Sequence, residues 1–281
     1  MPPQKQIVIL YHANCPDGFG AAYAAWKKYG DTAHYEAVSY GNPAPHHLEN
    51  KEVYILDFSY PKEILLELEN KVAKLVVLDH HIGSKEAVES VREHIFDNNR
   101  SGAGIAWEYF HPESPLPLLL AHIQDRDIWR HELPHGKEIG AYLGTIPFTF
   151  ESFEETAQKM EDEKGLQEII EKGHAYSEYF DFVCTEIADK AEEVEFEGYT
   201  VLATSAPGLF RSDVGHQLAV KKGPFAIVWQ LKEQHWQCSL RGDGTIDLSE
   251  IAKKYGGGGH HDAASFRVPM QQPLPFTFVT H

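Results

Sequence analysis

Cysteine and long apolar runs are both scarce in this sequence. The 281 residues include only three cysteines, Cys15, Cys184 and Cys238, and none forms a CxxC pair. Such sparse cysteine excludes a disulfide framework and favours a reducing compartment. The apolar run near the N-terminus, QIVILY, is too short for a signal-peptide core or a membrane span. We therefore expect a cytoplasmic protein that does not insert into a membrane.

Basic residues are also few, with 25 Lys and Arg against 42 Asp and Glu and a formal net charge of −17. Tight binding of long duplex nucleic acid needs a basic face, so we expect no such partner. A small anionic substrate remains compatible with this charge, because a carboxylate cluster becomes locally positive once it holds divalent cations. Histidine is frequent, at 17 residues, and it is the commonest metal ligand among side chains.

The order of apolar patterns predicts the fold class. Within the first hundred residues, short β-branched runs alternate with helical segments; the runs are QIVILYH, HYEAVSY, EVYILDFS and KLVVLDHH. This alternation predicts an α/β domain with a parallel sheet and helices on both faces. From about residue 194 the pattern changes to short β runs, which predicts a smaller C-terminal α/β domain. We place the domains at residues 1–185, ending in a helical linker, and 190–281.

Polar side chains follow three of the predicted strands, where a parallel sheet binds its ligands. The residues concerned are His12, Asp17, Asp57, Asp79, His80 and His81. Carboxylates and imidazoles in this pattern could hold two divalent metals that clamp a phosphate and activate a water. Asp57 is the candidate bridging carboxylate, and a turn aspartate bonded to the backbone is the alternative. Asp17 is also a candidate helix N-cap.

Two further segments carry groups that suit phosphate. Residues 255–266 read YGGGGHHDAASF, and a glycine run lets backbone N–H groups approach a ligand, although a flexible loop is the alternative. DAASF within it is predicted to begin a helix. Arg241 ends a predicted strand, where it could pair with phosphate in a bidentate manner. Arg100 and Ser101 precede a helix start that offers free N–H groups.

Together these motifs resemble the DHH phosphoesterase family with its C-terminal DHH-associated domain, as in nanoRNase and exopolyphosphatase-like members. The resemblance covers nearly the whole chain through HANCPDGFGAA, YILDFS, VVLDHHIGS, AHIQDRDIW and SLRGDG…IAKKYGGGGHHDAASF. It implies two lobes with the active site between them. It also implies Mn²⁺ or Mg²⁺, and cleavage of a phosphoric ester or anhydride by a metal-bound hydroxide.

The resemblance assigns roles by position. It implies metal ligands, with Asp57 bridging, at His12, Asp17, Asp57, His80 and Asp125. Asp79 would orient His80 or the bridging water, and His81 would face the substrate phosphate. The family's substrate-binding positions correspond here to Arg241, Gly258, Gly259 and His260. Arg100 is a further candidate for substrate binding. The QDRD segment offers both Asp125 and Asp127, of which we prefer Asp125.

Cys15 departs from the family pattern, because the first motif usually carries an aspartate at this position. A thiolate suits Zn²⁺ better than Mn²⁺ or Mg²⁺, and an unligated core cysteine is the alternative. The missing carboxylate should weaken the site served by His12. We therefore expect two ions, one of them weakly held.

The leading functional hypothesis is a phosphodiesterase that hydrolyses short single-stranded oligonucleotides or dinucleotides. Aromatic candidates for base stacking are Phe19, Tyr60, Trp129 and Trp236, and core packing is the alternative for each. An exopolyphosphatase-type hydrolase is the second hypothesis, although a long polyanion should require a basic channel. The third is a nucleotide-binding module with weakened catalysis, which only the Cys15 departure supports. Homo-oligomerisation is compatible with all three.

Overall fold

The computed structural model describes residues 6–279. The chain divides into two compact units, Met1–Ser177 and Glu178–His281. The division falls within a long helix, Glu163–Ala188. None of the described helices is both long enough and apolar enough to cross a membrane.

The first unit contains a five-stranded sheet in which every neighbouring pair is parallel. Its strand order is β2-β1-β3-β4-β5. The bounds are Ile7–His12 (β1), Ala33–Val38 (β2), Glu52–Leu56 (β3), Lys74–Asp79 (β4) and Glu93–Phe96 (β5). From β1 the chain goes to β2, at one edge of the sheet. It then returns to β3 on the other side of β1 and continues through β4 to β5, at the opposite edge. This reversal makes the boundary between β1 and β3 a topological switch point, where such sheets bind ligands.

Helices cover both faces of this sheet, as predicted. The bounds are Pro16–Tyr29 (α1), Lys62–Lys71 (α2), Lys85–Val88 (α3), Gly102–Phe110 (α4), Leu118–Asp127 (α5), Gly136–Leu143 (α6), Phe150–Met160 (α7) and Glu163–Ala188 (α8). On one face α1, α4, α5 and α7 bury the larger apolar core. On the other face Leu65 and Leu68 of α2 and Val88 of α3 join a second core.

The second unit contains a seven-stranded mixed sheet of order β10-β11-β9-β8-β7-β6-β12. The strands are Glu192–Phe196 (β6), Tyr199–Ser205 (β7), Phe225–Lys232 (β8), His235–Gly242 (β9), Gly258–Gly259 (β10), Ala263–Pro269 (β11) and Thr277–Phe278 (β12). The end of α8 packs in this unit, together with the helices Arg211–Lys221 (α9) and Leu248–Lys254 (α10). Only β7 and β8 pair in parallel among the described strands of this sheet.

The predicted α/β class is confirmed, with one local error. DAASF does not begin a helix, because Ala263–Pro269 forms strand β11 and pairs with β9. Alternating buried positions within that strand, Ala264, Phe266 and Val268, have the period of two that typifies a half-buried strand. Pairing with β9, which is distant in sequence, makes this segment a strand.

Candidate metal centre

Three of the predicted site residues lie at the carboxyl ends of the central strands. His12 ends β1, Asp57 directly follows β3, and Asp79 ends β4. Since β1 and β3 are hydrogen-bonded neighbours, the first two side chains stand at the switch point of the sheet. We call the groups gathered here the Asp57 cluster: His12, Cys15, Asp17, Asp57, Asp79, His80, His81 and Asp127.

Asp57 occupies the middle of the cluster. Its side chain is 1% exposed, and neither carboxylate oxygen accepts a hydrogen bond from any described residue. Oδ2 lies 3.3 Å from His12 Nδ1, and Oδ1 lies 3.2 Å from His80 Nε2. Buried carboxylate oxygens are normally hydrogen-bonded. An orphaned buried carboxylate between two imidazoles therefore has the arrangement of a metal ligand.

The backbone at Asp57 is held in an unusual conformation. Its φ of 63° is left-handed, a region that non-glycine residues seldom adopt and that occurs often at functional sites. Gly102 approaches so closely that a Cβ there would stand 2.5 Å from the Asp57 carboxylate. Only glycine fits at this position without displacing Asp57. The backbone conformation of Asp57 and the close approach of Gly102 together fix the position of this side chain.

Asp17 lies in the first turn of α1 and contacts another helix. Its carboxylate accepts hydrogen bonds from the backbone nitrogens of Gly102 and Ala103, at 2.6 and 3.0 Å. Asp17 is therefore not the N-cap of its own helix, a position occupied by Cys15. It binds the N-terminus of α4, where the free N–H groups and the helix dipole favour an anion.

Negative charge is concentrated in the centre. Burial, followed by the charge of Asp57, raises the pKa of Asp17 well above its usual value. Burial also acts to raise the pKa of Asp57, but contacts with His12 and His80 outweigh it and hold the pKa at about 2. Two buried carboxyls that cannot easily ionise together call for a cation between them.

His80 connects the cluster to α5. Its Nε2 atom lies 3.2 Å from Asp57, 3.5 Å from Asp127 Oδ2 and 3.7 Å from Asp17 Oδ2. Asp127, at the C-terminal end of α5, thus joins Asp17 and His80 in one potential ligand set. All three ligand atoms lie within 4.8 Å of one another.

The preference for Asp125 is corrected by this geometry. The Asp125 carboxylate accepts hydrogen bonds from the backbone nitrogens of Glu132 and Leu133, at 3.0 and 3.3 Å. It therefore stabilises the chain that follows α5. Residues 125 and 127 are two apart on a helix and point in different directions. Sequence alone offered both, and the helical phase brings Asp127 to His80.

Asp79 and His81 form a hydrogen-bonded pair. Asp79 Oδ1 lies 2.7 Å from His81 Nδ1 and also accepts from the backbone nitrogens of His80 and His81. Asp79 is fully buried, whereas the His81 side chain is 38% exposed. Burial acts to lower the pKa of His81, but the hydrogen bond and charge of Asp79 outweigh it and raise the pKa. The pair therefore places an imidazole of raised pKa within the cluster.

Cys15 and Tyr40 complete the surroundings of His12. The Cys15 sulfur belongs to a potential ligand set with His12 and Asp57, within 4.8 Å. Burial, followed by the charge of Asp57, raises the thiol pKa to about 12, so the metal-free thiol is protonated at neutral pH. The Tyr40 ring lies 4.9 Å from the His12 ring and 6.1 Å from the His81 ring. No local sequence signal indicated Tyr40.

Arg100 makes local contacts in the structure. Its guanidinium donates to the Gly104 carbonyl at 2.9 Å and pairs with Glu108. Ser101 caps α4 by accepting from the Gly104 nitrogen. The N–H groups at the start of α4, which the sequence predicted to bind phosphate, donate hydrogen bonds to the Asp17 carboxylate. The structure thus gives Arg100 and Ser101 roles at the start of α4, and substrate binding by Arg100 stays a prediction.

Three of the predicted substrate-binding residues of the second unit lie on β9 and β10, the two strands that pair with β11. Arg241 of β9 pairs in register with Ala263 of β11, and Gly259 of β10 pairs with Ala264. The Arg241 guanidinium donates to Ser212 Oγ at 3.0 Å and to the Leu240 carbonyl at 2.8 Å. Gly258 is the other β10 residue, and the backbone nitrogen of His260 donates to the Ala263 carbonyl at 2.8 Å. Their role in binding stays a prediction.

The donor set of the Asp57 cluster suits a divalent metal. Its carboxylates are hard oxygen ligands of the kind that suits Mn²⁺ or Mg²⁺, and its imidazoles add nitrogen ligands. Asp57 supplies two orphaned oxygens, one near His12 and one near His80. His12 and Cys15 flank the first, and His80, with Asp17 and Asp127 close by, flanks the second. His80 connects Asp57 to the group of Asp17, His80 and Asp127, so Asp57 faces both sets, as a carboxylate that bridges two ions would.

Comparisons with known proteins place the chain in a family and identify structures of similar fold. No protein-family model matches the chain. An uncharacterized protein of Acanthamoeba polyphaga mimivirus is 31% identical to it over 296 aligned positions, which cover 94% of this chain and 69% of that protein. At this identity and coverage the two sequences share one family.

Solved structures resemble the fold at low sequence identity. A pGpG-specific phosphodiesterase of Vibrio cholerae, PggH, gives a TM-score of 0.52 at 14% identity over 95% of this chain and 94% of its own. RecJ of Thermus thermophilus, in complex with Mn²⁺, gives 0.52 at 15% identity over 94% of this chain and 50% of its own. The DHH domain of a member of a ribosomal-protein family gives 0.52 at 14% identity, over 98% and 83%.

Proposed function

This chain has the DHH phosphoesterase fold and belongs to one family with the mimivirus protein, and from that premise we propose that it is a metal-dependent phosphodiesterase acting on dinucleotides or short oligonucleotides. The observation that carries the proposal is Asp57. A carboxylate that is 1% exposed, makes no well-formed hydrogen bond and lies 3.2–3.3 Å from two imidazole nitrogens has the arrangement of a metal ligand.

We assign the metal to two sites that share Asp57. His12, with the Cys15 sulfur nearby, would serve one site, and Asp17, His80 and Asp127 would serve the other. Two divalent ions supply Lewis-acid activation of phosphate and of water. The first set has fewer carboxylates, so it should hold its ion more weakly. Mn²⁺ is the candidate ion, and Mg²⁺ is the alternative.

The protein's own groups would position the substrate. His81, made more basic by Asp79, would donate a charge-assisted hydrogen bond to a phosphate oxygen. Asp79 would act as a positioning residue, because it holds the His81 ring through Nδ1 and leaves Nε2 free to donate. In the second unit, the candidate phosphate-binding positions are Arg241, Gly258, Gly259 and His260.

Short substrates suit this chain better than long ones. The net charge of −17 disfavours a long polyanion, since it supplies no extended basic surface. Among the predicted stacking residues, Phe19 and Tyr60 are buried, whereas Trp129 is 81% exposed and follows Asp127 by two positions. An exposed indole is a suitable platform for a nucleobase, worth about 1–3 kcal/mol per base. The neighbour PggH is specific for pGpG, a linear dinucleotide.

A substrate panel tests the proposal. The Mn²⁺-loaded full chain is offered a linear dinucleotide such as pGpG, a single-stranded RNA of about 24 nucleotides and polyphosphate, and products are separated by ion-exchange chromatography. We expect mononucleotides from the dinucleotide, with a kcat/KM at least about tenfold above that for the long RNA, a difference of about 1.4 kcal/mol. Asp57→Asn is the inactive control.

Two outcomes would contradict the proposal. Turnover of polyphosphate alone would identify a phosphoanhydride hydrolase. Absence of turnover on every substrate, with Mn²⁺ occupancy confirmed by elemental analysis, would leave a binding module with the phosphoesterase fold.

A further inference from the structure

A second group of metal-type ligands lies on the edge strand β2. His34 and Glu36 are separated by one residue on this strand, so their side chains point to the same face of the sheet. His47 joins them from the segment that follows β2. The group shares no residue with the Asp57 cluster. We call it the edge-strand triad: His34, Glu36 and His47.

The distances within the triad fit a tetrahedral ion. Glu36 Oε2 lies 3.5 Å from His34 Nε2 and 3.3 Å from His47 Nε2, and all three atoms lie within 4.8 Å of one another. Two ligands bound tetrahedrally to zinc, with bonds of about 2.0–2.2 Å, stand about 3.3–3.5 Å apart. The two distances that Glu36 makes match that separation.

His47 shows that the arrangement is more than a surface ion pair. Its Nε2 atom is buried and makes no hydrogen bond with any described residue, although the side chain as a whole is 37% exposed. The adjacent Leu48 is 2% exposed and belongs to the core on that face. Burial of Leu48 holds the backbone at His47 in place. The Nε2 atom of His47, which makes no hydrogen bond, therefore faces Glu36.

We propose that the edge-strand triad is a zinc site with His34, Glu36 and His47 as ligands and a fourth position open to solvent. Two imidazoles and one carboxylate form a set that binds zinc in proteins. The nitrogen-rich set favours Zn²⁺ over Mg²⁺ or Mn²⁺, which prefer oxygen. The site therefore differs in selectivity from the carboxylate-rich Asp57 cluster.

Zinc at this position would tie β2 to the segment of residues 39–51. That segment carries Tyr40, whose ring lies 4.9 Å from the His12 ring. Binding at the triad would therefore restrain a residue that contacts the Asp57 cluster. Its first measurable consequence is a higher melting temperature, because the ion binds only the folded arrangement.

Metal titration of the full chain tests the site. Metal-free parent protein, a His34→Ala/His47→Ala double variant and a His46→Ala control are titrated with Zn²⁺ and analysed by calorimetry and elemental analysis. We expect the double variant to bind one equivalent fewer than the parent, and the control to bind as many as the parent. In an Asp57→Asn background, Co²⁺ should give the strong visible absorption of tetrahedral coordination, and the double variant should lose it.

The side chains replaced are partly exposed, so the variants should fold, and their metal-free melting temperatures check this. Equal zinc stoichiometry in parent and double variant would overturn the proposal. So would a loss of the same equivalent in His46→Ala, because a neighbouring histidine outside the triad would then bind the ion. Octahedral Co²⁺ spectra in the Asp57→Asn background would also contradict it.

Discussion

Replacing Asp57 with asparagine is expected to lower kcat/KM for a dinucleotide by at least about 10³-fold. Metal activation is worth several kcal/mol of transition-state stabilisation, and about 4 kcal/mol corresponds to 10³ in rate. Asparagine keeps the shape of the side chain and tolerates the left-handed backbone at this position. The variant therefore removes the shared negative charge with little change in packing, and steady-state kinetics at saturating Mn²⁺ measures the loss.

Thermal unfolding separates this effect from misfolding. In the metal-free protein the lost attraction to His12 and His80 should lower the melting temperature, and relief of repulsion with Asp17 should keep that decrease small. The parent should gain about 2.7 kcal/mol of stability at a Mn²⁺ concentration of about 100 times Kd, and Asp57→Asn should lose most of this gain. A variant that keeps both full activity and the Mn²⁺-induced stabilisation would refute the role of Asp57.

Replacing His81 with glutamine is expected to lower kcat by about 10²–10³-fold while the bound Mn²⁺ stays at the parental level. A donor aimed at developing charge is worth about 2.7–4 kcal/mol. His81 pairs with Asp79 rather than with Asp57, so the metal ligands should remain in place. Elemental analysis and single-turnover kinetics measure the two properties separately.

Asp79→Asn tests the same pair as His81→Gln but should have a milder effect. The asparagine oxygen can still accept the backbone N–H groups of His80 and His81, but it no longer stabilises an imidazolium. We expect a smaller loss of kcat than for His81→Gln. An unchanged kcat in His81→Gln, or a parallel loss of Mn²⁺, would contradict the assignment of His81 to the substrate phosphate.

Local patterns were sufficient to predict the sheet and to place most candidate ligands near its carboxyl edge. Apolar β-branched runs that end in Asp57 or in Asp79-His80 are typical of buried strands, and parallel strands bring their carboxyl ends to one edge. The resemblance to the DHH phosphoesterases supplied the roles, and the observed fold agrees with it. The prediction of a helix at DAASF was wrong because β9, distant in sequence, pairs with that segment.

Other features depend on geometry that sequence does not contain. Asp125 and Asp127 carry the same chemistry, and only the phase and end of α5 distinguish them. The capping of α4 by Asp17 joins residues 85 positions apart. His47 belongs to a histidine pair visible in the sequence, but its partners His34 and Glu36 carry no such signal, because a loop of unknown course separates them from it.

Anomalous diffraction from crystals soaked in Mn²⁺ tests the central claim most directly. We predict anomalous peaks in contact with both oxygens of Asp57, one also bound by His12 and the other by His80 and Asp127, with Asp125 keeping its backbone hydrogen bonds. Manganese bound elsewhere on the protein, with no peak at Asp57 at millimolar Mn²⁺, would contradict the account.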